Sequence, residues 1–112
     1  MGIDLTNTTI KTSTRGSKTG RPIMVLFDIL GRRWSMRILW ELSQKDHTFN
    51  NLRRDCDDIS PSTLKQRLTE LQEYDLVKSI GNEGYTLTPI GFELMDKISY
   101  LREWANKWNL KK

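Results

Sequence analysis

The sequence has one cysteine, Cys56, and one histidine, His47, among 112 residues. An intramolecular disulfide is thereby excluded, and so is a zinc site built from a Cys/His cluster. There is no secretory h-region and no apolar run long enough to span a bilayer, so no membrane partner is expected and the cytoplasm is the default compartment. Phosphate-cradling glycine loops, a nucleophile elbow and a glycine-bearing calcium loop are missing too. Asp55, Asp57 and Asp58 fall where a turn and a helix end are expected rather than in a metal cage. His47 stands in a polar stretch, where a lone histidine is expected to be solvated. The chain is therefore not expected to be an enzyme, and no cofactor or metal is assigned to it.

What is present fits one small domain with a single core. The net charge of +4 and the pI of 9.4 permit an anionic partner, but both signs are interspersed, so the chain is not a polybasic arm. Residues 1–20 are mostly Thr, Ser, Gly, Asn and Lys and read as a flexible basic tail, leaving residues 21–112 as the folded domain. Met1 to Thr6 matches a loose myristoylation pattern and Asn7-Thr8-Thr9 a glycosylation sequon; both patterns recur by chance and neither is given a role. The four tryptophans exceed what one modest core needs, and Trp104 and Trp108 sit near the end of the chain. That placement points to a surface buried against a partner.

After Pro22, the run IMVLFDIL predicts a short buried helix closed by Gly31 in a left-handed cap. A second helix is expected from Trp34 to about Ser43, with Trp34, Ile38, Leu39 and Leu42 inward. Thr48 and Phe49 make at most a minimal strand, and Asn50 or Asn51 is a candidate cap for a helix carrying Leu52, Arg53 and Arg54. Asp57 and Asp58 then form a turn over Ile59. Ser60 as N-cap and Pro61 at the first helical position start the next helix, in which Leu64, Leu68 and Leu71 line one stripe. Two short helices joined by such a turn read as a helix-turn-helix.

The outer face of that second helix carries Ser62, Gln66, Thr69 and Glu73, flanked by Thr63, Lys65 and Arg67. Hydroxyls, an amide and bases near a helix N-terminus suit base edges and phosphates. Leu76 to Ile80 and Tyr85 to Thr88 are β-prone runs around Gly81-Asn82-Glu83-Gly84, which predicts a hairpin, or wing. Thr88-Pro89 repeats the cap-plus-proline start, and a helix roughly 30 Å long follows to about Asn109. Its apolar positions Ile90, Leu94, Ile98, Leu101, Ala105 and Trp108 form a seam. The expected fold class is mainly α with a small β-hairpin, a winged helix-turn-helix with a long C-terminal helix. The distal end of that helix, with Tyr100, Trp104 and Trp108, is expected to overhang its own core and to meet a second copy.

Several pieces in order carry a family resemblance: Leu30-Gly31-Arg32-Arg33-Trp34 with Ile38-Leu39-Trp40, Phe49 to Arg54, Ile59-Ser60, the leucine series, Asp75-Leu76-Val77, and Tyr85 to Gly91. Over residues 22–108 the chain resembles the HxlR-type winged helix-turn-helix transcription regulators, relatives of the MarR group. The resemblance implies a homodimer on double-stranded DNA, one recognition helix per subunit in adjacent major grooves of a pseudo-palindromic operator. It implies dimer contacts from the terminal helices, here Ile23, Phe27, Ile98, Tyr100, Leu101, Trp104 and Trp108. Base reading is assigned to Ser62, Thr63, Gln66 and Arg67, the last the weaker because its helical angle brings it toward the core edge. Phosphate contact is assigned to Asn50, Arg53, Arg54 and Lys65, and Ser60 and Lys78 are further DNA-binding candidates, with the tail's Lys11, Arg15, Lys18 and Arg21 in reserve.

Three departures from the family pattern bear on function. Many members have a cysteine sensor before the first helix, where this chain has Arg21, and Cys56 lies among acidic neighbours that disfavour a thiolate. Asp75 replaces the usual glycine after the recognition helix and is expected to adopt the left-handed conformation at modest cost. The wing is short and carries Glu83, so its groove contact is expected to be weak or absent. A protein-binding winged-helix module and an architectural DNA coat stay open as other functions, and a small-molecule effector stays open without a named pocket.

Overall fold

The computed structural model describes residues 20–82 and 84–111. The tail with its basic residues and short motifs, and Glu83, lie outside the described residues apart from Gly20 and Arg21. Among the described residues, five helices and three short strands follow in order: α1 Pro22–Leu30, α2 Ser35–Gln44, β1 His47–Thr48, α3 Phe49–Asp55, α4 Pro61–Glu73, β2 Val77–Ile80, β3 Gly84–Leu87 and α5 Pro89–Leu110. The strands form one antiparallel sheet in the order β1-β3-β2. β2 and β3 pair from Val77 with Leu87 to Ile80 with Gly84, and His47 and Thr48 add the third strand opposite Tyr85 and Gly84.

The leucine stripe dictates how α4 sits. Leu64, Leu68 and Leu71 are buried with Ile38, Leu39 and Leu42 of α2, Leu52 of α3, and Val77 and Leu87 of the hairpin. Burial of each such side chain contributes roughly 1.5–3 kcal/mol. The Ser60 hydroxyl accepts from the Thr63 amide at 3.2 Å, and Pro61 occupies the first turn, so α4 starts where the sequence places it. It ends in a left-handed Asp75 (φ 60°), with the Leu76 amide donating to the Leu71 carbonyl at 2.9 Å. The turn between α3 and α4 uses two consecutive left-handed residues, Asp57 (φ 56°) and Asp58 (φ 59°), over buried Ile59. Aspartate tolerates this conformation better than most residues.

Four local expectations need correction. Gly31 is not left-handed but right-handed (φ −80°, ψ −7°), and the positive φ of 78° falls on Trp34, which caps α2. Trp34 packs on the core, and that packing holds a conformation costing about 1–3 kcal/mol. The cap of α3 is Thr48, whose hydroxyl accepts from the Asn51 amide at 3.1 Å, rather than Asn50 or Asn51. On α5, Ile90 is 54% exposed, while Gly91 and Met95 are buried and Leu94 and Ile98 half-buried. His47 is buried in β1 instead of solvated.

Candidate nucleic-acid interface

The outer stripe of α4 follows from helical period. Ser62, Lys65, Gln66 and Thr69 are spaced by three, one and three residues, stand on one face and are all exposed. Leu64, Leu68 and Leu71 hold the opposite face down. Thr63 is half-buried and oriented by the cap, its Oγ1 accepting from the Ser60 hydroxyl at 2.8 Å. Gln66 makes only a long contact, 3.4 Å, to Glu70, leaving its amide available to a ligand. Asn50, in the first turn of α3, is exposed, and Arg54 is exposed there too, with one guanidinium nitrogen 3.0 Å from Asn51 Oδ1. Lys78 is exposed on β2. Thr69 joins the stripe without having been assigned a contact, though its spacing from Gln66 signals it.

Two assigned arginines are engaged in the fold. Arg53 Nε donates to the Ile59 carbonyl at 2.9 Å, fastening the turn that precedes α4. Arg67 donates from Nε to the Arg33 carbonyl at 2.9 Å and pairs with Glu70 at 2.7 Å, its side chain only 15% exposed. Arg67 thus lies against the fold rather than on the exposed stripe of α4, at the core edge to which its helical angle points. Glu70 also takes Arg32 at 3.2 Å, and Arg32 reaches back to Asp28 at 3.0 Å. A charged bridge thus runs from α1 to α4.

Burial pushes the Glu70 carboxyl up, but hydrogen bonds and charge from Arg67 and Arg32 outweigh it and hold the carboxyl below its ordinary value of 4.5. A depressed native value stabilises the fold fully above the ordinary value, and the contribution fades as pH falls through the native one. Glu70→Gln is expected to lower stability by about 1–2 kcal/mol at neutral pH, with the difference from the parent vanishing in acid. Urea titrations across pH would measure it; a pH-independent difference would assign the loss to packing. Cys56 is fully buried, and burial first, then its acidic neighbours Glu41, Asp55 and Asp57, push its thiol up to about 11 against the opposing pull of Arg37. Burial thus disfavours the thiolate more than the acidic neighbours do.

The ends of the chain carry a second surface. Beyond Ile98 every described residue of α5 is exposed, including Tyr100, Leu101, Trp104 and Trp108. Trp104 and Trp108 stack with centroids 5.7 Å apart at 12°. Ile23 and Phe27, one turn apart on α1, are exposed as well.

Residues 29–112 match the model of the HxlR-like helix-turn-helix family. The chain belongs to the HxlR family. An HTH-type transcriptional regulator of Methanocaldococcus jannaschii is 29% identical over 89 residues, which cover 76% of this chain and 83% of the relative. Quinone-bound YodB from B. subtilis superposes with a TM-score of 0.70 at 30% identity, over 78% of this chain and 98% of that one. A MarR-family regulator from Enterococcus faecalis gives 0.69 at 27% identity, over 90% and 96%. Among the described residues of this HxlR protein no helix is long and apolar enough to cross a membrane. It is a transcriptional regulator with a helix-turn-helix DNA-binding domain, and its family is one of regulators rather than enzymes.

Proposed function

We propose that the protein acts in the cytoplasm as a homodimer that reads a pseudo-palindromic operator, placing α4 of each copy in successive major grooves about 10 bp apart. The observation that carries this reading is the exposed stripe Ser62, Lys65, Gln66 and Thr69 along the first nine residues of a helix whose back is fully buried. Gln66 pairs with adenine in a bidentate contact, and Ser62, Thr63 and Thr69 supply hydroxyls to neighbouring base edges. Lys65, Asn50, Arg54 and Lys78 hold phosphates, with Ser60 fixing the helix start. Arg53 and Arg67 act one step back, setting the turn and the helix.

The test separates base contact from phosphate contact. An operator is first obtained by selection from random duplexes and compared with an unrelated duplex at low and near-physiological salt. Gln66→Ala is expected to lose roughly 1–3 kcal/mol on the operator and to relax preference at one position of each half-site. Lys65→Ala is expected to weaken both duplexes alike and to reduce the slope of log K against log salt by about 1 per subunit. Equal binding of operator and unrelated duplex by the parent would overturn sequence-specific reading, and a footprint without two-fold symmetry would overturn the dimer.

A further inference from the structure

Glu41 on α2, His47 on β1 and Asp55 at the end of α3 bring one potential ligand atom each within 4.8 Å of one another, away from the α4 stripe. The histidine decides how this cluster reads. Its side chain is 1% exposed, and Nδ1 lies 2.8 Å from the Lys45 carbonyl oxygen. A carbonyl oxygen only accepts, so Nδ1–H donates to it and fixes the ring with Nε2 turned toward the two carboxylates. Nε2 lies 2.9 Å from Asp55 Oδ2, an oxygen that accepts a proton or binds a metal ion. The Asp55 side chain is one-third exposed, and a cation between it and the ring nitrogen, a proton or a metal ion, holds such a pair together. Glu41 supplies the third side, its carboxylate held by Arg37 Nε at 2.8 Å. A ring fixed through its other nitrogen by a backbone carbonyl, beside a carboxylate steadied by an outer donor, is the supporting arrangement of divalent metal sites. Bonds of about 2.1 Å at a tetrahedral angle place ligands about 3.4 Å apart, so a bound ion parts the N-to-O contact by only about half an ångström.

We propose that Glu41, His47 Nε2 and Asp55 Oδ2 bind one divalent transition-metal ion of the zinc class, as three protein ligands with a position left for water. The mixed imidazole and carboxylate set, without thiolate, suits zinc, cobalt or manganese, and two carboxylates balance the charge of the ion. Such an ion joins α2, β1 and the supporting helix of the helix-turn-helix, two residues before the Asp57–Asp58 turn that leads into α4. The site was hidden in the sequence because its ligands come from three elements with no recurrent spacing.

The full chain, stripped with a chelator, is titrated with Co2+ and then Zn2+. One Co2+ per chain is expected, with visible d–d absorption that Zn2+ abolishes, and Zn2+ at about a hundredfold over its Kd is expected to raise Tm by roughly 10 °C. His47→Gln and Asp55→Asn are expected to abolish stoichiometric binding. Glu41→Gln is expected to weaken it at least tenfold while circular dichroism shows the fold intact. Absence of the cobalt spectrum together with an unmoved Tm would overturn the proposal, as would binding unaltered in all three variants. It would be overturned equally by an NMR signal for a His47 Hε2 proton shared with Asp55 that persists under saturating Zn2+, because a proton would then be the shared cation.

Discussion

Replacing Trp104 and Trp108 together by alanine is expected to convert the proposed dimer into a folded monomer and to weaken operator binding more than a hundredfold. The two rings stand 54% and 53% exposed and stack into one apolar plate, with Leu101 exposed at 57% on the preceding turn. Stacked indoles left in water on a helix that has run past its own core are the kind of anchor that dominates interfaces, at roughly 2–4 kcal/mol for each truncated tryptophan. Loss of both raises the dimer dissociation constant by about a thousandfold or more, since each 1.4 kcal/mol is tenfold. Operator affinity falls with it, because a monomer engages one half-site and loses the second, tethered contact. Stability of the single chain is expected to change little, as neither ring belongs to the core cluster. Light scattering with a sizing column measures the mass, and titration of a labelled operator measures the affinity. A double variant that stays dimeric would place the contact elsewhere, with Ile23 and Phe27 of α1 the next surface to truncate.

The elements that place the recognition helix were legible because their signals are local. Ser60-Pro61 and Thr88-Pro89 each combine a cap and a proline within two residues, and the hydroxyls make the cap bonds, at 3.2 Å and 3.0 Å. The leucine stripe of α4 needs only its own helix to be read. What the sequence hid was decided by contacts between distant segments. His47 looks solvated among polar neighbours, yet pairing with Tyr85 in the sheet carries it inward. Arg67 has the chemistry to read guanine, but its angle on the helix brings it to the Arg33 carbonyl, 34 residues away. Arg53 is claimed in the same way by the Ile59 carbonyl. A guanidinium offers five donors to any acceptor within reach, so an arginine's partner is fixed by the fold rather than by the residue. The seam of α5 went astray at Ile90 because hydropathy patterns give no weight to glycine, and Gly91 is the residue that faces the body of the protein.

Gly91→Ala is expected to destabilise the domain by about 2–4 kcal/mol, although alanine is the better helix former by roughly 1 kcal/mol. A Cβ at Gly91 would lie 2.2 Å from the Leu76 carbonyl oxygen and 3.2 Å from Thr88 Oγ1. Neither neighbour can retreat. The Leu76 oxygen accepts from the Thr88 amide at 3.1 Å, and Thr88 Oγ1 donates to the Asp75 carbonyl at 2.6 Å while accepting from the Gly91 amide at 3.0 Å. Thr88 thus rivets the start of α5 to the segment joining α4 and β2. Relief of the clash must pull α5 away from that segment, breaking bonds to buried groups and loosening the packing of Met95. Because the segment begins at Asp75, directly after the cap of α4, the disturbance reaches the recognition helix as well as the fold. The expected drop in Tm is roughly 10–25 °C for a domain of this size. Gly81→Ala is the matched control: nothing lies within 4 Å of its added Cβ, and a change within about 0.5 kcal/mol is expected. Thermal and urea melts of the two variants side by side decide the matter, and equal stability in both would mean that α5 meets the winged domain less closely than 2.2 Å implies.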